Sequence, residues 1–269
     1  MTDCPVFSPR RIYAMVLRHG YLIRGSWTRL AEMVYWPFIN VVVWGFTSQF
    51  MAAHSDWVSR AVGVFLGAVM LWDVMFRGNL GVALSFLEEI WSRNLGHLSV
   101  SPLRPLELVS AMLIMSLIRT LIGMVPVALL TIPLYHFSIF TLGLPLLAFF
   151  ANLMLSGWAV GLAVSALVLR YGQGAESLAW VLIFALAPLC GIYYPVSVLP
   201  DWLQAVAWFL PPSHIFEGMR MVMFDHLFPG RQLVVALALN LGYLAAAVGL
   251  FLWVHHLARV KGLFLSMGE

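Results

Sequence analysis

The chain is 269 residues long, 62% hydrophobic and only 10% charged, with a mean hydropathy of +0.91. A soluble domain carries roughly 45–50% apolar and about 25% charged residues, so this composition excludes a water-soluble fold and makes lipid the solvent. The net charge of +3 comes from arginines, with Lys261 the lone lysine, and they sit at the ends of apolar segments; that is a topology signal and not a nucleic-acid patch.

Residues 1–33 form a polar lead. Arg10, Arg11, Arg18, Arg24 and Arg29 interrupt it, so it holds no signal-peptide apolar region. From Pro9 onward, Ile12, Met15, Val16, His19 and Ile23 fall on one helical face. This predicts an amphipathic helix lying in the membrane interface. Each membrane span needs roughly 20 apolar residues. Six stretches qualify, at about 34–51, 59–85, 106–135, 142–169, 178–194 and 233–256. His54-Ser55-Asp56 separates the first two and His136-Phe137-Ser138 the third and fourth, and a loop at 170–176 precedes the fifth. Pro195, Pro200, Pro211, Pro212 and Pro229 break 195–230 into two short helices, about 201–210 and 213–227, too short to cross. They suit a re-entrant pair, which survives at membrane depth only when protein or a water-filled cavity surrounds it. A tail, 257–269, carries Arg259 and Lys261.

The expected fold is therefore an all-α membrane protein with an amphipathic lead (1–33), a six-span body (34–256) and a tail (257–269). The lead, the loop between spans two and three, the 170–176 loop and the tail hold most of the basic residues; Arg60, Arg220 and Arg231 lie on the other side. The richer side is cytoplasmic by the positive-inside rule, so both termini are expected inside. No internal repeat supports an inverted-repeat transporter. Cys4 and Cys190 are far apart and imply neither a disulfide framework nor a metal site.

Motifs for chemistry are missing. A phosphate-binding loop needs Gly-Lys-Ser/Thr, whereas Lys261 stands between Val260 and Gly262, so any ATPase must be a separate polypeptide. There is no zinc-helix His-Glu-x-x-His and no Gly-x-Ser-x-Gly elbow. His255 and His256 are adjacent and point about 100° apart on a helix, which suits interfacial histidines and not a chelate. No catalytic or metal-ligating residue is assigned.

Residues 86–100 can form a short amphipathic helix with Leu87, Ile90, Trp91, Leu95 and Leu98 on its apolar face, ending at Ser101-Pro102. Such a helix either docks into a groove on a soluble partner or lies on the membrane surface. Glu88-Glu89, followed by Leu98-Ser99-Val100-Ser101-Pro102-Leu103-Arg104-Pro105-Leu106-Glu107, resembles the signature of ABC-2 type exporter permeases, an acidic coupling helix and then Leu-x-x-Ser/Thr-Pro-Leu-x-Pro-x-Glu. The block from Tyr194-Pro195 through Leu210-Pro211-Pro212 to Glu217-Gly218-Met219-Arg220 is similar to the segment after that family's fifth span. The resemblance covers nearly the whole chain, although Glu89-Ile90-Trp91-Ser92-Arg93-Asn94 replaces the usual Arg-Glu-x-x-Gly-Thr core.

The resemblance implies a permease that pairs with a second copy above two ATPase subunits, which bind the ATP and magnesium; this chain would hold no cofactor. It implies coupling to the ATPase through Glu88, Glu89, Trp91, Arg93 and Asn94. A capped path between the permeases would carry an amphipathic, lipid-like, drug or polysaccharide cargo outward across a bacterial inner membrane. Intramembrane charges either pair structurally or line such a path. Asp73 and Arg77 are four apart on the second span and share a face. Arg119 lies mid-span without a local partner, and Glu217 and Arg220 are three apart. With Trp72, Tyr193 and Tyr194 these are the candidate path or gate residues. The other tryptophans read mainly as interfacial anchors. The alternative is an ion- or proton-coupled transporter using Asp73 and Glu217.

Overall fold

The computed structural model describes residues 7–52 and 56–262. Cys4, His54, Ser55 and the tail from residue 263 lie outside them. In chain order the helices are α1 (Pro9–Arg24), α2 (Trp27–Ala52), α3 (Asp56–Trp91), α4 (Leu95–Val100), α5 (Pro105–Tyr135), α6 (Leu144–Tyr171), α7 (Leu178–Leu186), α8 (Asp201–Trp208), α9 (Pro211–Asp225) and α10 (Gly230–Val260). Among the described residues all regular structure is helical.

Pro9 begins α1 at the position where its missing N–H costs nothing. The helix buries Ile12, Met15, His19 and Ile23, the stripe expected from spacing. A corner at Gly25-Ser26 turns the chain into α2, which starts at Trp27, seven residues before the expected first span. Pro105 opens α5 in the same way, and the Glu107 carboxylate accepts the Arg104 backbone N–H at 2.9 Å.

Five helices have the length and apolarity to cross a membrane: α2 over Trp27–Phe50, α3 over Gly63–Trp91, α5, α6 and α10. The expected fifth span, 178–194, is not one helix. α7 has nine residues, which reach about 14 Å of the ~30 Å hydrocarbon core. Pro188 has no N–H with which to continue the ladder, and Leu189 donates three residues back, to Leu186 at 3.0 Å. Gly191 then reverses the chain at φ 66°, a conformation open to glycine. Even so, the chain must return across the bundle here. The Arg170 guanidinium at the end of α6 lies 5.7 Å from the Trp253 ring near the end of α10. At the opposite end, Phe149 of α6 and Pro229 before α10 flank Gly218 of α9. α6 and α10 thus run parallel, and 172–229 carries the chain back between their ends.

α3 is the central column. About 72% of its most apolar stretch is buried, against 17% for α2 and α10, so the outer faces of those two helices meet lipid or a partner. α3 and α6 approach through Gly157 and Gly161, a small-residue pair spaced by four. A Cβ on Gly157 would lie 2.5 Å from the Met75 carbonyl oxygen, and one on Gly161 2.7 Å from that of Asn79. Polar contacts fasten the rest. Ser116 of α5 donates to the Gly78 carbonyl at 2.8 Å and accepts Trp158 Nε1 at 3.2 Å. Asn79 donates to the Ala179 carbonyl of α7 at 2.8 Å. On the other side of α6, Asn240 Nδ2 of α10 donates to the Asn152 carbonyl at 2.9 Å, and Asn240 Oδ1 accepts from Ser156 at 2.6 Å.

Candidate functional site

The helix expected at 86–100 is instead the last turn of α3 followed by a break and the six residues of α4. Arg93 takes the left-handed conformation (φ 53°) and ends α3. Ser92 Oγ donates to the Glu88 carbonyl at 2.7 Å, and the Asn94 N–H donates to the Glu89 carbonyl at 2.9 Å, satisfying carbonyls the helix leaves open. The break divides the five expected coupling residues. Trp91, Ser92 and Arg93 are exposed at the tip, with Trp91 47% open. Asn94 is half-buried and donates to Glu89 Oε2 at 2.6 Å. Glu88 and Glu89 turn inward, and Glu89 is wholly buried.

Those two carboxylates hold an ion cluster that joins four helices. Glu88 Oε2 accepts from Arg119 Nη2 of α5 at 2.7 Å and lies 3.1 Å from His19 Nδ1 of α1; Glu88 Oε1 accepts from Arg29 Nη1 of α2 at 3.0 Å. Glu89 Oε1 pairs with Arg18 and lies 3.3 Å from His19 Nε2. Burial holds the Arg18 guanidinium below the ordinary arginine range, against the opposing pull of Glu88. Arg119, expected to lack a local partner, therefore has one 31 positions away in sequence. A third carboxylate, Glu107 of α5, accepts from Arg11 Nη2 at 2.6 Å and from the Ser8 backbone N–H at 2.7 Å. α1 is thus riveted to the bundle near its start and again just past its middle. The sequence reading missed Arg11, Arg18, His19, Arg29 and Glu107 as partners; the available signal was His19, a titratable group in an otherwise apolar stripe.

The other charged residues form separate sites. Asp73 Oδ2 and Arg77 Nε are 3.6 Å apart, as their spacing implies, and Asn40 of α2 donates weakly to Asp73 Oδ1 at 3.4 Å. Trp72 is buried in the core. The Tyr193 ring packs 5.5 Å from Trp44 and 5.8 Å from Phe65. Glu217 and Arg220 pair at 3.2 Å and clamp the turn after α7. Glu217 accepts the Val196 N–H at 2.8 Å, while Arg220 Nη2 donates to the carbonyls of Gly191, of Ile192 at 3.2 Å and of Tyr194 at 3.0 Å. Tyr194 itself donates to the Pro188 carbonyl at 2.7 Å. Arg220→Ala strands these buried acceptors and is expected to expose 187–196 to protease while the rest of the protein stays protected. Arg220→Lys recovers little of that protection, because a point ammonium cannot span the fork of carbonyls.

Buried polar rivets between long apolar helices define a multi-pass helical membrane protein. The chain belongs to the ABC-2 type transporter family, whose family model matches residues 21–224. That family's members are transport permeases. No curated protein matches the chain.

Proposed function

We propose that this chain is the membrane permease subunit of an ATP-driven exporter, working as a homodimer with two copies of an ATPase subunit that binds ATP and magnesium. The observation that carries the reading is the tip at Trp91-Ser92-Arg93. It is open to a soluble partner, and the residues just before it are tied by Glu88 and Glu89 to α1, α2 and α5. A push on the tip therefore acts on several helices at once, which suits coupling. Trp91 and Arg93 are the contact residues in this reading; Glu88, Glu89 and Asn94 transmit. In this reading α1 is the cytoplasmic interface lead, the spanning body runs from α2 to α10 with the broken return through α7 as its sixth crossing, and the chain after α10 is a cytoplasmic tail. α8 and α9 form the re-entrant cap on the outer face, both termini face the cytoplasm, and the membrane is a bacterial inner membrane. Asp73, Arg77 and Tyr193 lie along the path, while Trp72 backs them from the core. The cargo is amphipathic: a lipid, a drug or a polysaccharide.

The test is a pull-down in mild detergent followed by an ATPase assay. A soluble partner with a Walker A motif should co-purify with the wild type, and the Trp91→Ala/Arg93→Ala variant should lose it while keeping the wild-type melting temperature. Equal recovery by both proteins would remove the coupling assignment. A gradient-driven transporter is the second reading, favoured by the buried Asp73–Arg77 pair. It requires transport in ATP-free vesicles that Asp73→Asn abolishes.

A further inference from the structure

At the end of the bundle that carries α1, a cavity opens between α4, the start of α5 and the end of α10. Leu95, Leu98 and Leu103 form its walls, and Arg104, His255 and Arg259 bring basic groups into it. Among the described residues no carboxylate lines it. Glu107, next to it in sequence, is fully buried and held by Arg11, the Ser8 N–H and the Arg104 N–H, so it cannot neutralise the arginines. Both arginines are exposed. Exposed apolar side chains adjoin the lining residues in the chain: Val100, next to Ser99 and Ser101, is 84% exposed, and Val260, next to Arg259, is 72% exposed. Cationic groups within an apolar rim, level with the ends of membrane-crossing helices, match a phosphate on an acyl chain better than a free anion in water.

We propose that this cavity binds the headgroup of an anionic phospholipid. Arg104 and Arg259 contact the phosphate, the leucine walls take the glycerol end of the acyl chains, and Val100 and Val260 flank the tails. The site joins the segment that follows the exposed tip to the last helix, so a bound lipid bridges elements that are far apart in sequence. The inference rests on the membrane-spanning fold and not on the exporter reading, and its test needs no ATPase.

The delipidated protein in non-ionic detergent is titrated separately with phosphatidylglycerol, phosphatidylcholine and inorganic phosphate, with bound lipid read by native mass spectrometry. Phosphatidylglycerol should bind more tightly than phosphatidylcholine, and inorganic phosphate should not displace it. Arg104→Gln/Arg259→Gln should weaken phosphatidylglycerol by about tenfold or more, since each basic contact contributes several-fold. Arg231→Gln, at the far end of α10, should leave it unchanged. The lipid-free melting temperature reports folding; if the double variant is unstable, Arg259→Gln carries the test with a several-fold loss. Equal retention of phosphatidylglycerol by wild type and variant overturns the proposal. So does equal binding of the two lipids, and so does displacement by inorganic phosphate, which would make this a site for soluble anions.

Discussion

Glu88→Ala is expected to be the most damaging single change at the tip end of the bundle, costing about 3–5 kcal/mol. The carboxylate serves three cationic or titratable partners on three helices, Arg119, His19 and Arg29. The largest part of the loss comes from Arg119. Its side chain is only 8% exposed, and its Nε already lacks a hydrogen-bond partner. Without Glu88 its charge is buried and unpaired, and removing one member of a buried pair costs far more than the pair contributes. Arg29 is 42% exposed and can turn to solvent, so Arg29→Ala should cost no more than about 1 kcal/mol. Thermal unfolding in detergent separates the two variants. Protease sensitivity at the Gly25-Ser26 corner should rise in Glu88→Ala as α1 loosens. Adding Arg119→Met should recover much of the loss, because the stranded charge goes with it. If Glu88→Ala melts within a degree or two of Arg29→Ala, the buried network does not hold α1.

Gly157→Val is expected to abolish folded protein, and Gly157→Ala to lower its stability by about 1–3 kcal/mol or more. The added carbon would sit 2.5 Å from the Met75 carbonyl oxygen and 2.9 Å from the Asn79 backbone nitrogen. Both are backbone atoms of α3, which cannot rotate away as a side chain would, so α3 and α6 must separate. Separation also strains the bond from Asn79 to the Ala179 carbonyl and so disturbs α7. Gly242 and Gly249 of α10 are the controls, since a Cβ on either meets nothing within 4 Å. Alanine there should be neutral or stabilise by up to about 1 kcal/mol, since glycine inside a helix costs roughly that much relative to alanine. Detergent-solubilised yield and melting temperature across the alanine variants check this ordering. A wild-type melting temperature for Gly157→Ala would mean that α3 and α6 are not in backbone contact at Gly157.

The sequence by itself determined everything that depends on composition or on spacing within one helix. Its apolarity required a membrane, and its proline and glycine breaks marked most helix ends. The 3.6-residue period located the buried stripe of α1, the Asp73–Arg77 pair and the Glu217–Arg220 pair, because residues three and four apart must meet on a helix. Tertiary structure decided the rest. Hydropathy measures how apolar a stretch is and not whether its backbone stays helical, so 178–194 read as a span although α7 ends at Leu186. The family resemblance made Glu88 and Glu89 coupling residues; only packing shows cations from α1, α2 and α5 meeting them inside. Arg119 has no partner within its own helix because its carboxylate lies on α3. Nothing in local spacing sets the distance between residues on different helices; that depends on which faces pack, and here the glycines of α6 against α3 help to set it.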